Sequence, residues 1–302
     1  MAMVVLAVVL GILLPRLQEE RSPPANGKQD PKAEVENAYL AYWNAVKQAY
    51  LKLDVSLLAD WTTPGARESV GKAIERDRQN GNPVREFATN HDYRIVVYRE
   101  GDIASVDDVY ELHRALLDPQ SLKPVEEEAT LTFHDSFVMR RIDGQWKVDG
   151  DVVFGTGRPT PETDVSQAAV SSGNPVPETL RNEVESAYLS YWAASAKAYR
   201  ELDPAPLHRV LSGPALEKDL SVLNEQREKN QRFLINVEHN YRIAADGSES
   251  VYVYDTVADR SVFVDKVTGK QVRAERIDIF RFGYVLRKVE GRWKVDFIKQ
   301  LE

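Results

Sequence analysis

Two histidines hold the same place in two near-copies of one pattern: His91-Asp92-Tyr93-Arg94-Ile95 returns as His239-Asn240-Tyr241-Arg242-Ile243. Apolar and polar residues alternate on either side, which predicts a half-buried strand and puts each His on one face with a Tyr and an Ile. Asp108 and Asp255 fall on the following strand, where an offset of 147 aligns them. An imidazole beside a carboxylate in apolar surroundings has a tuned proton affinity and can move protons. His91, Asp108, His239 and Asp255 are therefore the candidate catalytic groups. The competing reading is structural: a buried polar side chain needs a partner whatever its role, and a Tyr hydroxyl from a packed helix would serve. The Asp match also depends on register, because aligning Ser105-Val106 with Ser250-Val251 gives an offset of 145 and breaks it. The structural reading is preferred. Each imidazole is expected against a helix side chain or a backbone carbonyl, with no open cavity beside it.

Tyr42 and Tyr191 on helices, with Tyr93 and Tyr241 on strands, are the candidate ligand-lining residues. Aromatic stripes at helical spacing are more often core, and that reading competes here too. Glu126-Glu127-Glu128 reads as a solvated charge run. His113, His134 and His208 have no companions at ligand spacing, so no metal site is expected, nor any other cofactor. There is no phosphate loop, nucleophile elbow or dinucleotide fingerprint. The 302 residues include no cysteine, which removes disulfides, thiolate metal sites and a cysteine nucleophile. A net charge of −8 argues against nucleic acid as partner.

The elements that must position these groups repeat as well. Val35–Trp43 (VENAYLAYW) returns as Val184–Trp192 (VESAYLSYW), and each copy closes on Gly-x-Trp-Lys-Val-Asp at 144–149 and 291–296. The offset drifts only from 149 to 147, so the chain is a tandem of two copies of one domain. In the first helix Val35, Tyr39, Tyr42, Trp43, Val46 and Tyr50 share one face. Asp54 and Asp203 are placed to cap a short second helix, and a third follows Pro64-Gly65 or Gly213-Pro214. The period then changes from 3.6 to 2. Strands are expected near 87–97 and 233–243, 103–113 and 251–257, 129–140 and 272–287, and over the final WKVD segments. Asp143-Gly144 and Glu290-Gly291 read as tight hairpin turns. Helices first and strands after predict an α+β class, with three helices on one face of an antiparallel sheet of about four strands in each copy.

The organisation follows. Residues 1–17 contain the apolar run Ala2–Leu14, too short for a full span at about 1.5 Å per residue and read as an export signal or anchor. Residues 18–32 form a polar tether, 33–154 the first domain, 155–179 a linker rich in Pro, Gly, Ser and Thr, and 180–302 the second domain.

The Tyr-x-x-Tyr-Trp helix (Tyr39, Tyr42, Trp43; Tyr188, Tyr191, Trp192), the Leu53-Asp54 and Leu202-Asp203 pairs, and the Gly-x-Trp-Lys-Val strands resemble the nuclear transport factor 2-like superfamily. That superfamily is also called SnoaL-like or ketosteroid-isomerase-like. The pattern is similar, too, to the C-terminal domain of a chloroplast-division membrane protein. The resemblance implies a cone: helices closing the concave side of a curved sheet. Its members include enzymes, ligand binders and interaction domains, so it does not choose among them. The expectation is a non-enzymatic, membrane-tethered, extracytoplasmic protein binding a partner protein or a small apolar ligand, and able to form a homo-oligomer. An isomerase-like or cyclase-like enzyme using the His/Asp pair, or a structural spacer, stands as the alternative.

Overall fold

The computed structural model describes residues 30–81, 83–99, 101–156, 176–245, 250–272 and 276–301. The expected anchor and most of the tether lie outside the described residues, as does most of the linker.

In the first copy, α1 (Pro31–Lys52) buries Val35, Tyr39, Tyr42, Val46 and Tyr50 along the face that the spacing predicts. Asp54 accepts a hydrogen bond from Ser56 N at 2.9 Å and starts a single 3-10 turn, Val55–Leu58, where a short helix was expected. Thr63 caps α2 (Pro64–Asn80), and Gly81, at φ 77°, ends it. Then β1 (Val84–Val97), β2 (Ile103–Leu116), β3 (Ala129–Ile142) and β4 (Gln145–Thr156) form an antiparallel meander in that order. The last hairpin turns on Asp143 and Gly144, both at positive φ, as a two-residue primed turn requires. Glu290-Gly291 repeats it.

The second copy has α3 (Glu178–Glu201), the one-turn α4 (Leu207–Val210) and α5 (Gly213–Glu228). Six strands follow: β5 (Gln231–Leu234), β6 (Val237–Ala245), β7 (Ser250–Asp259), β8 (Val262–Asp265), β9 (Asp278–Val289) and β10 (Arg292–Leu301). The main sheet runs β6-β7-β9-β10, and β5 pairs with β8 in a separate ribbon. The expected single strand over 233–243 is thus divided. Asn236 leaves the ladder to donate its N–H to Ser261 Oγ at 3.0 Å and to accept from Arg260 N at 2.9 Å. The first copy keeps one long β1 and bends it with a bulge between Thr89 and Asp92, where Asn90 sits at φ 53°. The strand expected from residue 272 begins at Asp278, and β4 runs to Thr156, into the span assigned to the linker.

Each copy has its own core between helices and inner sheet face. The outer faces meet each other. Tyr98, Ile103, Val138 and Ala258 form one apolar cluster between the copies, and Val152, Tyr254 and Leu301 a second. Polar links thread the same interface: Asn240 Nδ2 donates to Ser105 Oγ at 2.9 Å, and Ser136 Oγ lies 2.5 Å from Thr256 Oγ1. Arg94 and Arg242 are equivalent residues, and each reaches across. Arg94 donates to Tyr241 O at 3.0 Å and Arg242 to Asp92 O at 2.6 Å. Such reciprocity is what a two-fold interface produces. The tandem therefore pairs with itself inside one chain.

Candidate functional site

The bend in β1 and the division of β6 bring the two histidines to matching places. β1 and β2 pair with Tyr93 opposite Asp108, and β6 and β7 with Tyr241 opposite Asp255. His91 Nδ1 lies 2.6 Å from Asp108 Oδ2, and His239 Nδ1 lies 2.7 Å from Asp255 Oδ2. The same carboxylate oxygen accepts from a helix hydroxyl: Tyr39 at 2.7 Å in the first copy, Tyr188 in the second. The fragile offset of 147 is thus the structural one. The partner of each His is the neighbouring strand's Asp and not, as expected, a helix side chain or backbone carbonyl. The helix tyrosine joins through that Asp.

Each trio ties its first helix to two strands. In the second copy Trp192 Nε1 adds a bond to Tyr188 Oη at 2.8 Å. The His–Asp bond orients the ring as in a general-base dyad, but access decides what it can do. His91 lies among the rings of Trp43, Tyr93 and Tyr110, with centroids 5.7–6.4 Å away. Trp192 lies 4.9 Å from His239. Replacing either His by Ala leaves the Asp short of a partner and is expected to cost about 1–3 kcal/mol of stability, read by urea unfolding; an unchanged midpoint would remove the bracing role.

The second cone is hollow. A half-enclosed cavity of about 260 Å³ lies between α3, α5 and the strands, with Tyr191, Trp192, Tyr199, Val257, Phe233 and Phe282 on its wall. His239 and Asp255 are not among the lining residues, although the Trp192 ring on the wall lies 4.9 Å from the His239 ring. Ser195, Asp219 and Gln226 also line it, each at least nine-tenths buried. Asp219 Oδ2 and Gln226 Oε1 have no hydrogen-bond partner among the described residues. Burial pushes the Asp219 carboxyl up to about 6, against the pull of Lys218 and the Tyr199 hydroxyl.

The first copy fills the corresponding space. Strand registers match Tyr110 to Val257 and Asp135 to Phe282. Tyr110 packs edge-on to Trp43 at 4.9 Å, stacks on Phe133, and donates to Asp135 Oδ2 at 2.5 Å. Nearby, Arg114 binds Glu86 and, at 2.6 Å, Asp77, and its guanidinium covers the Tyr50 ring. The helix offset of 149 puts Gln226 where Asp77 stands, Asp219 at the place of Val70, and Ser195 at that of Val46. The cavity thus exists where a tyrosine plug is replaced by valine, and at Asp219 and Ser195 it carries polar groups where the sister domain has valines.

Burial pushes Asp135 up to about 8, with Asp151, Asp108 and Asp107 adding to the rise and the Tyr110 hydroxyl opposing it. An unfolded Asp titrates near 3.9. Between those values the folded chain holds a proton that the unfolded chain has released, so this residue lowers stability progressively as pH rises from about 4 to 8. Asp135→Asn should therefore gain stability over the parent across that window, in denaturant curves taken at each pH. Parallel pH profiles would contradict it.

The remaining candidates are dispersed. Tyr42 is buried in the first core and Tyr191 lines the second cavity. Tyr93 and Tyr241 donate to Glu36 and Glu185 and border a polar groove of about 290 Å³ between the copies, with Arg94, Asp107 and Arg242. Among the described residues no cluster of three metal-ligating side chains occurs. His134 pairs with Asp107 at 2.9 Å and His113 with Thr89 at 2.8 Å; Glu128, from the acidic run, binds Arg85 at 2.6 Å. A wider hollow of about 520 Å³ over Val55 and Gly71 is bordered mainly by charged side chains of α2. Asp219, Gln226, Tyr110 and Asp135 were not among the sequence candidates. An Asp at 219, on the buried face marked by Leu216, Leu220 and Leu223, was the available signal.

No protein-family profile and no curated protein matches the sequence. Among solved structures the chain is similar to the intermembrane-space region of a chloroplast protein, at 15% identity over 42% of this chain and 98% of that one, with a TM-score of 0.36. It is also similar to a scytalone dehydratase-like protein from Novosphingobium aromaticivorans, at 14% identity over 48% and 95%, TM-score 0.28. An NTF2-like protein involved in plasmid conjugation is similar at 10% identity over 90% and 97%, TM-score 0.24.

Proposed function

We propose that the second domain binds a small, largely apolar molecule in its cone, and that the first domain is a filled copy that braces it. The observation that carries this reading is the difference between the cones: an aromatic-walled cavity of about 260 Å³ in one, the Tyr110–Asp135 plug in the other. A cavity of about 150 Å³ can hold benzene, so this one suits a molecule of one or two rings. Apolar walls with a few polar groups are the usual composition of such sites. The His–Asp–Tyr trios occur in both copies, hollow and filled alike, and so support bracing more than catalysis.

The plug can be moved. Val257→Tyr with Phe282→Asp should fill the second cone, and a bound apolar probe such as toluene, followed by tryptophan fluorescence, should then lose at least tenfold in affinity. Undiminished binding in this folded variant would place the site elsewhere. In the same reading, residues 1–17 carry the paired domains to a membrane and out of the cytoplasm. Activity of a reporter fused after Glu302 on the cytoplasmic side would refute that part.

A further inference from the structure

We infer that the ligand of the second cone is a small aromatic or alicyclic amine, bound as its ammonium ion with the nitrogen at Asp219 and the ring against the aromatic wall. This inference rests on the cavity being a binding site and adds the chemistry of what enters it.

Three unsatisfied groups belong to the cavity wall: two acceptors and the Ser195 hydroxyl, which can donate or accept. Among the described residues, Asp219 Oδ2 and Gln226 Oε1 are buried without partners, and both belong to residues that line the cavity. A buried carboxylate oxygen lacking a donor is costly, and a ligand that brings charged N–H groups removes the cost and gains charge-assisted bonds. The groups that face Asp219 do not neutralise it. From α3 come Tyr191 and Tyr199; the Tyr199 hydroxyl donates to the backbone oxygen of residue 219 at 3.4 Å and also pulls on the Asp219 carboxyl, but it carries no charge to balance it. From β9 comes Tyr284. Asp259 on the cavity wall is a further acidic side chain, already accepting from Ser261 N at 2.7 Å. Among the described residues Lys218, next in sequence, is the cation that acts on Asp219, and it does not line the cavity. The local field therefore favours a cation.

The wall suits the rest of such a molecule. Trp192, Tyr191, Phe233 and Phe282 supply ring surface, and cations are attracted to aromatic faces within about 6 Å. Asp219 and Gln226 are seven residues apart on α5, about 10 Å along the axis at 1.5 Å per residue. An ammonium at one and a second donor, a hydroxyl or N–H, at the other would span an arylalkylamine. The equivalent positions in the filled cone, Val70 and Asp77, offer nothing of the kind: one is apolar and the other is neutralised by Arg114.

The test uses probes matched in shape: 2-phenylethylamine, propylbenzene and phenylacetate, titrated into the full chain by calorimetry. At pH 7.5 the amine should bind at least tenfold more tightly than propylbenzene, and phenylacetate least. The amine stays protonated throughout, so its advantage should shrink as pH falls through about 6 and Asp219 takes up a proton. Asp219→Asn and Asp219→Val should each bring the amine's affinity down to that of propylbenzene measured on the same variant. Equal binding of amine and hydrocarbon, tighter binding of phenylacetate, or an advantage that survives both substitutions would overturn the assignment and leave the cavity reading standing. Failure of all three probes, propylbenzene included, would end both.

Discussion

Arg242→Ala should destabilise the whole chain by about 3–5 kcal/mol, the range for stranding one member of a buried ion pair. Arg242 donates from Nε to Asp107 Oδ1 at 2.7 Å and from Nη1 to Asp92 Oδ2 at 2.7 Å, so it binds the first copy from the second. Asp107 is 1% exposed. Burial pushes its carboxyl up, and His134 and the Arg242 guanidinium overcome that and hold it below the usual range. Because the folded value is depressed, this stabilisation is present above the unfolded value near 3.9 and is lost as pH falls through the folded one. The deficit of the variant should therefore narrow in acid. Substituting the pair together, Arg242→Met with Asp107→Asn, should recover part of the loss, since the amide leaves no stranded charge and still offers His134 an acceptor. A deficit under about 1 kcal/mol in urea unfolding at neutral pH would mean the copies do not depend on each other. Cleavage in the linker should then release two separate halves; the interface described here predicts halves that stay together.

Trp146→Ala should cost about 3–5 kcal/mol, and Trp293→Ala clearly less. Both belong to the repeated Gly-x-Trp-Lys-Val strand, which by itself predicts equal burial. The first is 5% exposed inside the first core. The second is only half-buried: its Nε1 donates to Glu183 at 3.0 Å, and Lys288 lies over its ring. An equal loss from the two would show that the motif, and not its surroundings, sets the energy. Measurement of both variants under one set of conditions decides it.

Much of the fold was legible because it rests on local rules. The change of period from 3.6 to 2 marked helices and strands, and the Asp-Gly and Glu-Gly turns closed their hairpins at positive φ as two-residue loops must. The division of β5 from β6 was not legible, since Ile235 and Asn236 continue the alternation and the break depends on Ser261, a residue reached only through the fold. The His–Asp pairing hung on a register that the bulge at Asn90 sets. The cavity arises from non-matching residues, Tyr110 against Val257 and Asp135 against Phe282, whereas the repeat was found from matching ones. The mutual packing of the sheets was hidden for a related reason: Ser105, Ser136 and Thr256 are small polar residues that look like solvent-facing positions until a second sheet covers them.

The most direct test of a hollow second cone beside a filled first is residue-resolved chemical-shift mapping with toluene. Shifts should concentrate at Tyr199, Val257 and Phe282, with Tyr50, Tyr110 and Asp135 unmoved. Shifts of similar size in both cones, or shifts confined to Tyr93 and Tyr241 in the groove between the copies, would contradict the account.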